Sequence, residues 1–103
     1  MIEFKKDHIW INHQLVNKFM NEIEYAYVSF IETHNQLLIT PISSKWFIKM
    51  YKDHAQILLK SRTLKGDKTI NIREVIIDNN LDVTEGPLIY EFVEKTKLIK
   101  IKL

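Results

Sequence analysis

Five cations lie close together in the second half of the chain: Lys60, Arg62, Lys65, Lys68 and Arg73, running through a turn that carries Gly66. Cations spaced along one stretch can track a phosphate backbone, and a glycine-bearing turn can bring backbone N–H donors to the same anion. Between Lys45 and Arg73 there are eight basic residues against Asp53 and Asp67, whereas Glu74 to Glu94 holds six acids and no base. Charge is therefore segregated along the sequence, although the formal net charge is only +2. Segregation has two readings: a phosphate-facing surface beside an acidic one, or two blocks that pair with each other across the fold. Thirteen of the fifteen cations are Lys, which limits the bidentate reading of guanine that Arg performs.

Other chemistries find few residues to carry them. Two glycines cannot build a dinucleotide loop, a Walker loop or a nucleophile elbow. His8, His13, His34 and His54 fall at no standard zinc spacing, although His8 and His13 flank one short strand. No spacing suggests a Ser, His and carboxylate group. The absence of cysteine excludes disulfides, thiolate metal centres and a Cys nucleophile, and directs the expectation to a reducing cytoplasm. The chain reads as non-enzymatic, with no catalytic residue, metal or other cofactor. No apolar run approaches the roughly 20 residues needed to cross a bilayer, so no membrane is expected as a partner.

The elements that must position the basic segment follow from hydrophobic periodicity. At 103 residues and 46% hydrophobic composition the chain is one domain with one core. Ile9 and Ile11 alternate as a short strand, and Leu15, Val16, Phe19 and Met20 form the stripe of a short helix. Tyr25 to Glu32 and Leu37 to Thr40 read as a hairpin. Ser43 and Ser44 would cap a helix over Lys45 to Lys52, whose face is Trp46, Phe47, Met50 and Tyr51. That stripe reads as core sealing one end of the domain; the other reading is a partner-binding face with Lys45, Lys49 and Lys52 beside it. Ile57 to Leu59 is a strand, and Lys65 to Asp67 a turn.

After that turn the pattern starts again. A shift of 61 pairs Ile9 with Ile70, Ile11 with Ile72, Leu15 with Ile76, Val16 with Ile77 and Met20 with Leu81. A slip of one more residue pairs Phe30 with Phe92, Ile31 with Val93, Leu37 with Ile99 and Ile39 with Ile101. A unit of strand, short helix and hairpin cannot close a core alone and requires a second copy. Phe30, Phe92, Ile39 and Ile101 are therefore expected inside.

The run Gly66 to Ile77, followed by Leu81 to Glu94 and Leu98 to Ile101, resembles the swapped-hairpin unit of the AbrB/SpoVT family: a Gly turn, a strand, a short helix, a Gly before the third strand, and a final hairpin. Residues 5–41 resemble the same unit more faintly, and a tandem pair in one chain is the MraZ-like arrangement. Asn12 and Arg73 stand where the family favours Pro. The resemblance implies an α+β, mostly β fold in which unit one (5–41), a connecting helix and strand (43–60) and unit two (64–103) form one small pseudo-symmetric barrel with short helices. It implies a DNA-binding transcriptional regulator, with Lys60, Arg62, Lys65, Lys68 and Arg73 as DNA contacts, and Lys5, Lys6, Trp10, Asn12 and His13 at the equivalent places of the first unit. An oligomer would raise affinity. The rival reading is a protein-interaction or small-ligand-binding module.

Overall fold

Ile2, Phe4, Ile9 and Ile11 alternate with Glu3, Lys5, His8 and Trp10, and the chain folds there into a hairpin of β1 (Ile2–Lys5) and β2 (His8–Ile11). Its two-residue turn holds Lys6 and Asp7 at φ 49° and 64°, the left-handed backbone that such a turn requires. Helix α1 (His13–Phe19) follows, started by Asn12, whose Oδ1 accepts from the Leu15 amide at 3.1 Å. The computed structural model describes all 103 residues except for the side chain of Phe19, so that member of the expected helical stripe lies outside the described residues. Leu15, Val16 and Met20 are buried as the stripe requires.

The hairpin of β3 (Tyr25–Ile31) and β4 (Gln36–Pro41) turns through a single 3-10 turn, Glu32–His34. After it come α2 (Trp46–Met50), β5 (Ala55–Leu58), β6 (Lys60–Ser61), β7 (Lys68–Asn71) and α3 (Arg73–Asp78). The chain ends with β8 (Gly86–Pro87), β9 (Tyr90–Val93) and β10 (Leu98–Lys102). The fold is mostly β, with three short helices.

Two five-stranded antiparallel sheets share one core. The first runs β6-β7-β2-β1-β8 and the second β5-β3-β4-β10-β9. Inward side chains of both sheets meet, Ile9, Ile11 and Ile70 from the first and Leu37, Ile39, Ile99 and Ile101 from the second. Strand, helix and hairpin recur in the same order, and corresponding strands pair with each other, related by a shift of 61 residues in β2 and β7 and of 62 in β4 and β10. In β2 and β7, Ile9 lies opposite Ile70, His8 opposite Asn71 and Trp10 opposite Thr69. In β4 and β10, Ile39 lies opposite Ile99 and Leu37 opposite Ile101. Exchanging the copies turns each of these pairs into itself or into the other.

The strands do not close into the single barrel expected from the sequence. Residues 55–61 pair with β3 and then with β7, and residues 86–93 pair with β1 and then with β10. Each changes sheets, at Leu59 and at Leu88–Ile89, and the ladder is interrupted there. The Leu59 amide turns to the Glu24 carbonyl and the Leu88 amide to the Ile2 carbonyl. Two open sheets facing each other are the result. Ile39 and Ile101 are fully buried, and Phe30 and Phe92 pack half-buried against the same core.

Helix α2 is shorter than the expected Lys45 to Lys52, and neither Ser43 nor Ser44 caps it; the Ser44 amide instead bonds the Pro41 carbonyl in a turn that ends β4. It covers the outer face of the second sheet, where Phe47 is buried with Leu38 and Leu98 beneath Trp46 and Tyr51. The Phe47 ring stacks on Tyr27 at 6.2 Å and meets Tyr51 at 4.8 Å. Met50 points away and is exposed. No helix among the described residues is long and apolar enough to cross a membrane.

Candidate functional site

The outer face of the first sheet carries no helix. Alternation puts Lys60, Thr69, Trp10 and Glu3 in one row across β6, β7, β2 and β1, with Asn71, His8 and Lys5 in the next. Arg62, two residues beyond Lys60, reaches back over this face: its Nε donates to the Thr69 hydroxyl at 2.8 Å, satisfying a buried polar group. The Arg62 guanidinium carbon and the Lys5 ammonium each lie 5.9 Å from the centre of the Trp10 ring, at the outer reach of cation–π attraction. These cations come from separate hairpins on opposite sides of β2.

Two shallow clefts open on this side of the sheet. One, of about 220 Å³, is lined by His8, Lys60, Arg62, Thr69 and Asn71, with Ile57 and Leu58 as its apolar wall. The other, of about 260 Å³, is lined by Glu3, Trp10, Asn12, Asp67 and Pro87. The first gathers positive and hydrogen-bonding groups beside an apolar wall, and the second is lined by two carboxylates as well as the indole.

The turn between β6 and β7 is held from within. Gly66 sits at φ +108°, a backbone that side-chain-bearing residues rarely adopt. Its amide donates to the Thr63 carbonyl at 3.2 Å, and the Asp67 amide to the Thr63 hydroxyl at 3.1 Å, so neither N–H is offered to an anion. The Asp67 carboxylate accepts from the Thr63 hydroxyl at 3.0 Å, and from the backbone amide and ring Nδ1 of His13 at the start of α1. Burial pushes this carboxyl upward, but the Thr63 hydroxyl and the His13 donors outweigh it and hold Asp67 below the usual carboxylate range. Lys65 projects from this turn into solvent.

The five cations singled out in the sequence do not share one place. Lys60 and Arg62 line the 220 Å³ cleft and Lys65 stands on the adjoining turn. Lys68 lies opposite Ile11 and therefore on the inward side of β7. Its ammonium donates to the Met20 carbonyl at 3.2 Å and the Ile23 carbonyl at 2.9 Å, a cation placed just past the C-terminal end of α1. Its position was readable from the sequence, because Lys68 is two residues from Ile70 and strand side chains repeat every second residue. Arg73 begins α3 and opens on a different cleft, which Glu74 and Asp78 also line; Asn71 belongs to both clefts.

Lys5 and Trp10 complete the site, and their convergence with Arg62 depends on the pairing of β1, β2 and β7 across more than fifty residues. The local signal was the outward place of Trp10 between Ile9 and Ile11. Among the described residues the one ion pair is His13 with Asp67, so the basic block of residues 45–73 is not paired with the acidic block of residues 74–94. No three His, Asp or Glu side chains among the described residues converge as metal ligands. Comparison with family models, curated proteins and solved structures finds no match to this chain.

Proposed function

We propose that this protein is a DNA-binding regulator that holds the phosphate backbone against the outer face of its first sheet, with Lys60, Arg62 and Lys65 as the contacts and Lys5 beside them. The observation that carries the reading is the gathering of Arg62 and Lys5, from separate hairpins, around Trp10 on a sheet face that no helix covers. A cluster of unpaired cations stores repulsion that a polyanion relieves, and each phosphate neutralised releases counterions. Arg73 faces a separate cleft beside Glu74 and Asp78 and is not part of this track, while Lys68 supports the fold beneath it. The recurrence of strand, helix and hairpin, at shifts of 61 and then 62 residues, supports a tandem swapped-hairpin pair as the scaffold. Self-association would multiply a modest single-site affinity.

Binding of wild-type protein to mixed genomic duplex fragments, followed at several salt concentrations, tests the reading. Each phosphate contact contributes about 0.9 to the slope of log affinity against log salt, so Lys60→Ala/Arg62→Gln/Lys65→Ala is expected to flatten that slope by roughly two to three units. Gln at position 62 keeps a donor for Thr69, and the variant is expected to unfold at the wild-type denaturant concentration. Wild-type protein without salt-dependent binding to any duplex or single strand at low ionic strength would leave the protein-interaction or small-ligand module, for which the 260 Å³ cleft beside Trp10 is the available site.

A further inference from the structure

The strand that carries Trp10 is the central one of five, with β7 and β6 on one side and β1 and β8 on the other. Four strand spacings of about 4.8 Å make the sheet roughly 19 Å across, with the indole near its middle. The major groove of a duplex is about 12 Å wide and admits a helix or a two-stranded ribbon. A side chain at the centre of a flat five-stranded face therefore does not reach base edges inside the major groove of an unbent duplex. It can meet a base that is already outside a duplex.

We infer that the nucleic acid held on this face is single-stranded, with one base stacked on the Trp10 indole and the flanking phosphates taken by Arg62 and Lys60 on one side and Lys5 on the other. The inference rests on the phosphate-binding reading above and adds what kind of strand it is. Three features meet here: a large aromatic ring on a mainly polar sheet face, cations on both sides of that ring, and a nearby 220 Å³ cleft walled by Ile57 and Leu58 and bordered by His8 and Asn71, whose side chains can hydrogen-bond a neighbouring base. Stacking on an aromatic platform along a positive track is how a single strand is held without dependence on its sequence. Glu3, opposite Trp10 on β1, repels phosphates from its own row and leaves the row of His8 and Lys5 as the path of the strand on that side.

Trp46, packed on Phe47 on the far side of the molecule, is the second tryptophan, so Trp46→Phe leaves Trp10 as the sole indole reporter. This protein is titrated with oligo(dT) and oligo(rU) of about twelve nucleotides, a usual footprint for such faces, and with a duplex of equal length. Quenching of Trp10 emission, with either single strand binding more tightly than the duplex, is the expected result, and the tighter of the two identifies the natural strand as DNA or RNA. Trp10→Ala is expected to weaken single-strand binding roughly 5- to 150-fold, and Trp10→Phe to retain most of it. Unchanged Trp10 emission at saturating oligo(dT) and oligo(rU), or duplex binding as tight as either single strand, overturns the inference while salt-dependent duplex binding keeps the phosphate reading. Failure of all three probes to bind at low salt overturns both.

Discussion

On the outer face of the second sheet, Leu38 and Leu98 lie under the buried ring of Phe47; on the outer face of the first, the central strand presents Trp10 with Lys5, Lys60 and Arg62 around it and no helix above. The two faces are built on similar antiparallel ladders, so the contrast comes from side chains. Strand β4 is apolar on both sides, with Leu37 and Ile39 facing the shared core and Leu38 facing out. Such a strand must be covered twice, and α2 supplies the second cover. Strand β2 alternates strictly, with Ile9 and Ile11 inside and His8 and Trp10 outside, and needs only one. An aromatic ring under a helix has a packing reason. Trp10 has no helix over it; it lies half-buried in a row with Glu3 and Thr69, with Lys5 and Arg62 on either side, and the binding role proposed above rests on that arrangement.

Phe47→Ala gives the largest expected effect. Removing a fully buried ring that touches Tyr27, Trp46 and Tyr51 should cost about 3 to 5 kcal/mol, read as a lower denaturation midpoint, while nucleic-acid binding by the protein that remains folded is unchanged. A loss below about 1 kcal/mol would mean that α2 rests on the sheet without sealing it, and the contrast between the faces would fail.

Lys68 and Lys60 sharpen the comparison within one sheet, since they are cations on opposite sides of it. Lys68→Ala removes two charge-assisted hydrogen bonds, to the Met20 carbonyl at the end of α1 and the Ile23 carbonyl in the turn after it, and should destabilise by about 1.5 to 3 kcal/mol. Lys60→Ala should change stability by less than about half a kcal/mol. The salt slope of binding should respond in the opposite order, falling for Lys60→Ala and holding for Lys68→Ala. Equal slopes for the two variants would place the nucleic acid elsewhere.

Much of the architecture was legible because inward Ile residues recur. Ile9, Ile70, Ile39 and Ile101 mark ladders whose register follows from the side of the sheet each must occupy. Strand β1 was not legible, since its hairpin turns on Lys6 and Asp7, which adopt left-handed backbone without the Gly or Asn that normally signals such a turn. The division into two sheets was hidden as well, because it depends on where residues 55–61 and 86–93 change partners, and no residue type marks Leu59 or Leu88 as a corner. Of the site, Lys60 and Arg62 were found by charge. Lys68 was grouped with them because proximity in sequence says nothing about which side of a strand a side chain takes. Lys5 meets Arg62 at Trp10 only after three strands have paired.

The smallest expected effect concerns Asp67, which ties the turn carrying Lys65 to the start of α1. Its carboxyl lies below the ordinary carboxylate range, because the donors from Thr63 and His13 favour the charged form more than burial disfavours it. A carboxyl lowered in the folded protein contributes stability that is fully present above its unfolded value of about 3.9 and disappears as pH falls through the folded value. Asp67→Asn should therefore cost about 1 kcal/mol at neutral pH, a magnitude typical of a helix-start acceptor, and the wild-type and variant midpoints should converge as pH drops below about 4. The open face should feel the change only through the turn: with Lys65 less firmly placed, binding weakens slightly while the contribution of Lys60 and Arg62 to the salt slope persists. A gap between the two midpoints that stays constant from neutral pH to pH values below about 4 would show that shape rather than charge holds the turn to α1, and would separate the fixing of Lys65 from the electrostatics of the face it borders.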